Sequence, residues 1–241
     1  MDNLLLSKIF KGRLEDLSNR KLLINTINAH SFNVARKDSM FYKALQSGDI
    51  LLPDGVSVIF ASRLLFGIKI KKIAGADLFY YEMKRLDAIG GSCFFLGSNG
   101  CTLQKIYDKA KIEFPNLKVH NYSPPYKPVF SKEDSQRMIE LINAVKPDVV
   151  FIGMTAPKQE KWAFTYFNEL DTKLVCCIGA VFDFYAGNIQ RAPKWAIKIG
   201  LEWLFRLLKE PRRLSKRYII GNTKFVLFIL RMEIAIIFSR I

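Results

Sequence analysis

A carboxylate at the end of a short predicted strand is the first residue in this chain whose type and position could do chemistry. Asp54 closes the strand predicted over residues 48–55, and a carboxylate placed there can take a proton from an attacking hydroxyl. The chain has only two histidines, His30 and His120, so acid–base chemistry falls to carboxylates. Locally, Asp54 could equally be a turn residue or the N-cap of the helix predicted over 56–66.

Several other polar residues and glycines also follow predicted strands and could contact a polar ligand. The glycine pair at Gly97 and Gly100 can offer free backbone N–H groups to a phosphate, although a tight turn without a ligand explains it equally well. Gln159 could bind an oxyanion or a sugar hydroxyl, or be an ordinary first-turn residue beside Glu160, whose charge suits the helix dipole. The strand-end candidates are Thr26, Asn28, Gly97, Gly153, Gln159, Gly179 and Asp183.

Strands and helices alternate along most of the chain, with short loops between them. We predict strands over 21–28, 48–55, 92–96, 117–122, 147–153 and 175–178, and helices over 32–45, 56–66, 102–114, 132–145 and 195–208, with further helices beginning near 74 and 157. This alternation predicts an α/β fold, a Rossmann-like parallel sheet covered by helices on both faces. Ligands bind such sheets at the carboxyl ends of the strands, so the candidates above could converge on one cleft.

The charge of the chain is concentrated near its carboxyl terminus. Of 241 residues, 37 are Lys or Arg and 22 are Asp or Glu, and the net charge is +15. Residues 191–241 hold twelve of the basic residues and three glutamates. Such a field attracts a polyanion. We predict an anionic membrane surface rather than nucleic acid, because no motif for reading nucleic acid accompanies the charge.

The four cysteines lack metal-ligand spacing. Cys176 and Cys177 are neighbours in a strand pattern, so they are predicted to point to opposite faces as small core residues. No metal site is expected. The amino terminus carries Asp2, Lys8 and Lys11 in weakly apolar sequence, which is not typical of a signal peptide and favours the cytoplasm.

The last segment, Tyr218 to Ile241, has two apolar runs separated by Arg231 and Glu233. Neither run approaches the roughly twenty apolar residues of a transmembrane helix. We predict a core domain over 1–204 and a basic amphipathic appendage over 205–241 that lies on a membrane surface. The alternative is that the segment packs as a buried terminal helix or forms a dimer contact.

Several motifs resemble one known family. The segments LLPDG, AGADL and PKQEKW, and above all FDFYAGNIQRAPKWAIKIGLEWLFRLLKEPRRL, are similar to the WecG/TagA/CpsF family of bacterial glycosyltransferases, over about residues 24–217. The resemblance implies a Rossmann-like core with a membrane-docking appendage. It also implies inverting transfer of an N-acetylmannosamine-type sugar from a UDP donor to polyprenyl-diphosphate-linked N-acetylglucosamine, without a metal or other cofactor.

The resemblance also assigns roles to individual residues. Asp54 matches the family's proposed base, and Arg206 and Arg212 would act with it as catalytic cations. Thr26 and Asn28 match polar residues that line the family's acceptor–donor pocket, and Gln159 matches a glutamine of its PKQE motif. With the strand-end candidates, the predicted substrate-binding residues are Thr26, Asn28, Lys72, Gly97, Gly153, Gln159, Gly179, Asp183 and Arg191. The residues implied to meet the lipid diphosphate and the membrane are Arg213, Lys216 and Arg217. Lys72 stands where many relatives have arginine, and a lysine binds phosphate less well than a bidentate guanidinium.

Two other functions remain open at this stage. The same family could use another UDP-hexose, such as UDP-glucose, in capsule or exopolysaccharide assembly; a uronate donor would need an extra cation, from Lys72 or Lys158. The protein could instead be a non-catalytic scaffold that binds a nucleotide sugar at a membrane. A peripheral position on the inner face of the cell membrane is expected, and a homo-oligomer is possible.

Overall fold

The computed structural model describes residues 2–17 and 20–238. Its strands are β1 (Leu22–Ile27), β2 (Ile50–Pro53), β3 (Ser92–Gly97), β4 (Lys118–Tyr122), β5 (Val149–Gly153) and β6 (Leu174–Cys177). Its helices are α1 (Asp2–Ser7), α2 (Ala29–Ala35), α3 (Ser39–Ser47), α4 (Val56–Phe66), α5 (Gly75–Ile89), α6 (Gly100–Glu113), α7 (Lys132–Val145), α8 (Lys158–Tyr166), α9 (Val181–Tyr185), α10 (Lys194–Lys198), α11 (Glu202–Lys209), α12 (Pro211–Ser215) and α13 (Gly221–Phe238).

Within those residues the strands form one six-stranded sheet in the order β2-β1-β6-β5-β3-β4. Every pairing is parallel, and Ile24 in β1 lies between Ile50 in β2 and Cys176 in β6. Most strand positions are buried because helices cover both faces, which explains why these strands are almost continuously apolar. The predicted parallel α/β fold is confirmed.

The core is divided by the sheet. On one face, Phe79 of α5 packs against Phe95 and Phe151 of the sheet. On the other face, Met138 of α7 and Trp162 of α8 pack against the alternate strand residues. Cys176 belongs to the first cluster and Cys177 to the second, and both are fully buried. Their prediction as core residues on opposite faces is therefore confirmed.

The helix predicted over 32–45 is wrong, because two helices occupy this region. α2 ends at Ala35, and α3 begins after Asp38, whose side chain accepts a hydrogen bond from the backbone N–H of Phe41 at 3.0 Å. Asp38 also pairs with Lys161 of α8. An aspartate that can cap a new helix competes with helix continuation, and this pairing with a distant lysine favours the break.

The single helix predicted over 195–208 is also wrong. Gly200 interrupts it with φ of +81°, which separates α10 from α11. A Cβ atom at this position would lie 2.7 Å from Cγ1 of Val56, so the chain turns here where its backbone passes closely over α4. The left-handed conformation and the close approach both require glycine.

α13 packs on the core through one side and exposes apolar residues on the other. Phe225 and Ile229 are buried among α2 and α4 residues, with the ring of Phe225 edge-on to Phe32 at 5.1 Å. The outward side carries exposed Val226, Leu227, Leu230, Ile234 and Phe238. One side of α13 therefore packs as a buried terminal helix, as the alternative interpretation of this segment expected. That the appendage lies on a membrane stays a prediction. Residues 239–241 of the predicted segment lie outside the described residues.

A helix that crosses a membrane must be long and predominantly apolar. Among the residues described, none of the helices combines the length and apolar character needed to span a bilayer.

Truncating Phe225 tests the docking of α13. We expect Phe225→Ala to lower the free energy of unfolding by about 3–5 kcal/mol, because it removes a buried ring. Leu227→Ala on the same helix is the matched control, since Leu227 is 52% exposed. Chemical denaturation measures both variants. Equal, small losses in the two would contradict the packing described here.

Candidate active site

A cavity of about 1270 Å³ opens at the carboxyl ends of the strands. The chain passes from β1 to the edge strand β2 on one side and then crosses to β3 on the other, so loops leave the sheet in opposite directions and open a crevice. The cavity brings together most of the predicted site residues. They are Thr26, Asn28, Asp54, Lys72, Gly97, Gly153, Gln159, Gly179, Asp183, Arg191, Arg206, Arg213 and Arg217.

Asp54 lies in this cavity directly after β2. Its backbone N–H donates to the carbonyl of Ile27 at 2.9 Å, which fixes the turn beside the end of β1. Removal from bulk water raises the pKa of Asp54 from 3.8 to about 6; the positive charge of Lys72 opposes the rise, and the negative charge of Glu202 adds to it. The N-cap of α4 is Gly55, without a side-chain cap, so Asp54 does not serve as that cap.

Three charged residues form a cluster that joins the core to the carboxyl-terminal helices. The ammonium of Lys72 lies 2.7 Å from a carboxylate oxygen of Glu202 at the start of α11. The other oxygen of Glu202 lies 3.6 Å from Nε of Arg191. The two cations hold the pKa of Glu202 below its usual value although burial opposes this. Glu202 therefore stays ionised and anchors α11 beside Asp54.

The end of β1 contributes two polar residues and a histidine. Thr26 faces the cavity, whereas Asn28 caps α2, because its Oδ1 accepts from the backbone N–H groups of His30 and Ser31 at 3.0 and 3.1 Å. The pKa of His30 is lowered to about 4 by burial and by the charge of Arg217. A neutral imidazole thus lines the cavity next to a guanidinium.

Close packing at the strand ends explains why Gly97 and Gly153 carry no side chain. A Cβ on Gly97 would lie 2.6 Å from the carbonyl oxygen of Gly153, and one on Gly153 would lie 2.2 Å from the ring of Phe182. In the loop after Gly97, the side chain of Asn99 caps α6 by accepting from the N–H of Thr102 at 2.9 Å. These contacts fit the tight-turn alternative, and the glycines also leave the cavity open at its base.

Gln159 is buried in the first turn of α8, at the cavity wall. Its Oε1 accepts from the backbone N–H of Met154 at 3.2 Å, and its Nε2 donates to Oε1 of Glu160 at 2.8 Å. Asp183 also lines the cavity, 3.4 Å from Nδ2 of Asn188.

Guanidinium groups form the wall contributed by the carboxyl-terminal segment. The guanidinium of Arg206 lies over the ring of Phe184 at 5.1 Å. The buried Nε atoms of Arg191, Arg206 and Arg217 have no hydrogen-bond partner in the part of the chain that the structure describes. Burial lowers the pKa of Arg217. Such groups are poised to bind an anion, because hydrogen bonds to a phosphate would satisfy them.

Two predicted residues lie outside the cavity. Arg212 and Lys216 are exposed and are not part of its lining. Arg213 lines the cavity but is itself exposed and pairs with Glu210. The structure therefore brings Arg206, Arg213 and Arg217 together with Asp54, and leaves Arg212 and Lys216 facing outward.

Sequence reasoning missed Glu202 and His30. Glu202 was visible only as one acid in a basic segment, and its partner Lys72 lies 130 residues away. The available signal in the sequence was that Glu202 is one of few acidic residues in a strongly basic segment, which favours an ion pair. Across residues 2–17 and 20–238, no group of three or more His, Cys, Asp or Glu side chains is placed to hold a metal ion.

Comparisons with known proteins point to one family. Residues 2–236 match the model described as the glycosyl transferase WecG/TagA/CpsF family. An N-acetylglucosaminyldiphosphoundecaprenol N-acetyl-beta-D-mannosaminyltransferase of Bacillus subtilis (strain 168) is 30% identical over 211 residues, 88% of this chain and 80% of that protein.

Two further relatives have the same name. The protein of Bacillus spizizenii (strain ATCC 23059 / NRRL B-14472 / W23) is 30% identical over 215 residues, 89% of this chain and 81% of that protein. The protein of Staphylococcus aureus (strain MW2) is 24% identical over 200 residues, 83% of this chain and 76% of that protein.

Replacing Asp54 separates catalysis from folding. We expect Asp54→Asn to lower glycosyl transfer about 100-fold or more, because a neutral amide cannot take the proton of the acceptor hydroxyl. Burial raises the pKa of Asp54 to about 6 in the folded chain, so its ionisation above that pH destabilises the fold, and asparagine relieves this cost. The melting temperature at pH 8 should therefore not fall. Glycosyl transfer by Asp54→Asn above one tenth of the wild-type rate would contradict the prediction that Asp54 is the base.

Proposed function

Because this chain belongs to the WecG/TagA/CpsF family of glycosyl transferases, we propose that it moves N-acetylmannosamine from a UDP donor to N-acetylglucosamine carried on a polyprenyl diphosphate. One observation carries the proposal: the cavity is lined both by a carboxyl with a raised pKa and by guanidinium groups whose Nε atoms have no hydrogen-bond partner within the described part of the chain. Transfer of a sugar away from a diphosphate needs both a base and a partner for the departing charge. The names of the relatives supply the sugar and the acceptor.

Asp54 acts as the base in this proposal. Its carboxylate takes the proton from an acceptor hydroxyl as that oxygen bonds to the anomeric carbon of the donor, on the face opposite the departing UDP. The bond from the anomeric carbon to the diphosphate oxygen breaks, and the configuration inverts. A pKa of about 6 makes Asp54 a stronger base than an ordinary aspartate while leaving it mostly ionised at neutral pH.

Arg206 and Arg217 meet the negative charge of the diphosphate groups. Arginine binds phosphate through two parallel N–H bonds. Both residues line the cavity, and their Nε atoms have no hydrogen-bond partner among the described residues. Arg191, already near Glu202, supports the same region. With this much fixed positive charge at the leaving group, the proposed reaction requires no metal ion.

Two lysines bear on the choice of donor sugar. The ammonium of Lys72 is paired with Glu202. That of Lys158 donates to the carbonyl of Lys127 and lies 3.7 Å from the centre of the ring of Phe130. Since the charge of Lys72 is already compensated by Glu202, that cation is not free to receive the carboxylate of a uronate. This supports an uncharged sugar such as N-acetylmannosamine.

The outward side of α13 is proposed to lie on the inner face of the cell membrane. Its exposed Leu227, Leu230 and Ile234 provide apolar area, and exposed Arg212 and Lys216 add attraction to anionic headgroups, a pairing of signals that peripheral binding requires. The acceptor would then reach the cavity from the lipid surface. A contact with a second copy of the chain is the competing use of this face.

UDP release with a short-chain polyprenyl-diphosphate N-acetylglucosamine tests the proposed function. We expect release from UDP-N-acetylmannosamine that depends on the acceptor, exceeds release from UDP-glucose and the uronate donor, and is unaffected by EDTA. Preference for another UDP-sugar would be compatible with the proposed mechanism but would refute N-acetylmannosamine as the sugar that is transferred. Loss in EDTA that Mg²⁺ or Mn²⁺ restores would refute metal independence, and no release by folded protein with membranes supplied would favour the scaffold.

Flotation with anionic liposomes tests the membrane face. We expect Leu230→Asp combined with Ile234→Asp to reduce the bound fraction strongly, because two charges would enter the apolar boundary. Ile112→Asp is the matched control, since Ile112 of α6 is 82% exposed on an element that does not belong to the predicted appendage. Equal flotation of all variants would refute α13 as the membrane face, and a change in oligomeric state alone would favour a dimer contact.

A further inference from the structure

Glu160 is a buried carboxyl that the proposed chemistry has not used. It lies in the first turn of α8, only 1% exposed, at the wall of the substrate cavity. The neighbouring cations are engaged elsewhere, since Lys158 donates to the carbonyl of Lys127 and Lys161 pairs with Asp38. Burial raises the pKa of Glu160 from 4.5 to about 7.

The contacts of Glu160 run through Gln159. Oε1 of Glu160 accepts from Nε2 of Gln159 at 2.8 Å, while Oε1 of Gln159 accepts from the N–H of Met154 at 3.2 Å. The amide is thus held at both ends in one orientation. In the described residues the second oxygen of Glu160, Oε2, has no hydrogen-bond partner although it is buried.

Such a group is a cost to the fold. A buried carboxyl without a cation, with one oxygen unsatisfied, destabilises the folded state relative to an apolar side chain of similar size. Costs of this kind concentrate at functional sites. Among the described residues, the contact of Glu160 with Gln159 joins this carboxyl to an amide at the cavity wall.

Gln159 is placed to meet a substrate. A Cβ atom on Gly179 would lie 3.7 Å from Nε2 of Gln159, so the missing side chain leaves the amide next to the end of β6. Asp54 follows β2, and only β1 separates β2 from β6. Two strand spacings, about 10 Å, therefore separate these strand ends, a distance that one sugar with its substituents spans.

We propose that Glu160 is a positioning residue for the donor sugar: it holds the amide of Gln159 so that the second hydrogen of Nε2 is presented to a sugar oxygen. This inference rests on the proposed function, because it identifies the ligand of Gln159 as the sugar of the donor. Glu160 acts through Gln159, and its buried carboxyl lowers the stability of the folded state.

Variants at the two positions test this role through kcat/KM for UDP-N-acetylmannosamine and through thermal unfolding. Glu160→Met has a similar length, and its thioether sulfur is only a weak hydrogen-bond acceptor. We expect it to lower kcat/KM about 10-fold or more without lowering the melting temperature. Glu160→Gln can still accept from Gln159, so its loss should stay below about 5-fold.

A double-mutant cycle separates positioning from a structural role. In the Gln159→Ala background, adding Glu160→Met should cause no further loss, because the group being positioned is absent. Glu160→Asp, whose shorter carboxylate falls short of Gln159, gives the same comparison should the methionine variant not fold.

Additive losses, or a melting temperature that falls with activity in both Glu160→Met and Glu160→Gln, would overturn the inference. If wild type releases no UDP from any donor, the proposed function fails. In that case the affinities of the same variants for UDP-N-acetylmannosamine, measured by calorimetry, test the inference separately. The double-mutant cycle is then applied to binding free energies instead of kcat/KM.

Discussion

The ion pair between Lys72 and Glu202 is the contact on which the arrangement of the site depends. Its partners are 130 residues apart, and it ties the segment before α5 to the first turn of α11. α11 and the helices after it carry Arg206, Arg213 and Arg217 into the cavity. Together with the packing of α13 on Phe32 and the close approach of Gly200 to Val56, this tie holds the guanidinium groups in register with the base.

The same pair sets the electrostatics around Asp54. Lys72 favours the ionised form of Asp54 and Glu202 disfavours it, within an environment whose largest effect is removal from water. Because Lys72 is held 2.7 Å from Glu202, its charge is largely compensated and Asp54 keeps a pKa suited to a base. The cavity therefore combines a basic carboxyl with cations still able to receive a diphosphate, which is the preorganisation that transfer from a nucleotide sugar needs.

Local pattern was enough to predict the sheet and much of the cavity. Apolar strand runs, separated by helices, require a parallel sheet, and its geometry brings every strand-end residue to one edge, so Thr26, Asp54 and Gln159 could be identified as neighbours. Resemblance to a family added Arg206 and Arg217. None of these predictions needed knowledge of a contact between distant residues.

What escaped prediction depends on such distant contacts. The break at Gly200 follows from its approach to Val56, and apolar periodicity continues through it. The break at Asp38 is reinforced by Lys161. Glu202 was one acid inside a helix predicted to be continuous, and nothing local reveals that it anchors Lys72. The burial of one side of α13 could not be predicted either, because it depends on packing against Phe32 of α2.

The pH dependence of kcat/KM in wild type, Lys72→Met and Glu202→Gln tests the central claim most directly. Wild type should lose activity as the pH falls through about 6, the pKa of Asp54. Lys72→Met removes a cation that favours the carboxylate, so its acid limb should move to higher pH. Glu202→Gln removes a like charge and releases Lys72 toward Asp54, so its acid limb should move lower. Three active enzymes with the same acid limb would contradict Asp54 as the base whose pKa this ion pair sets.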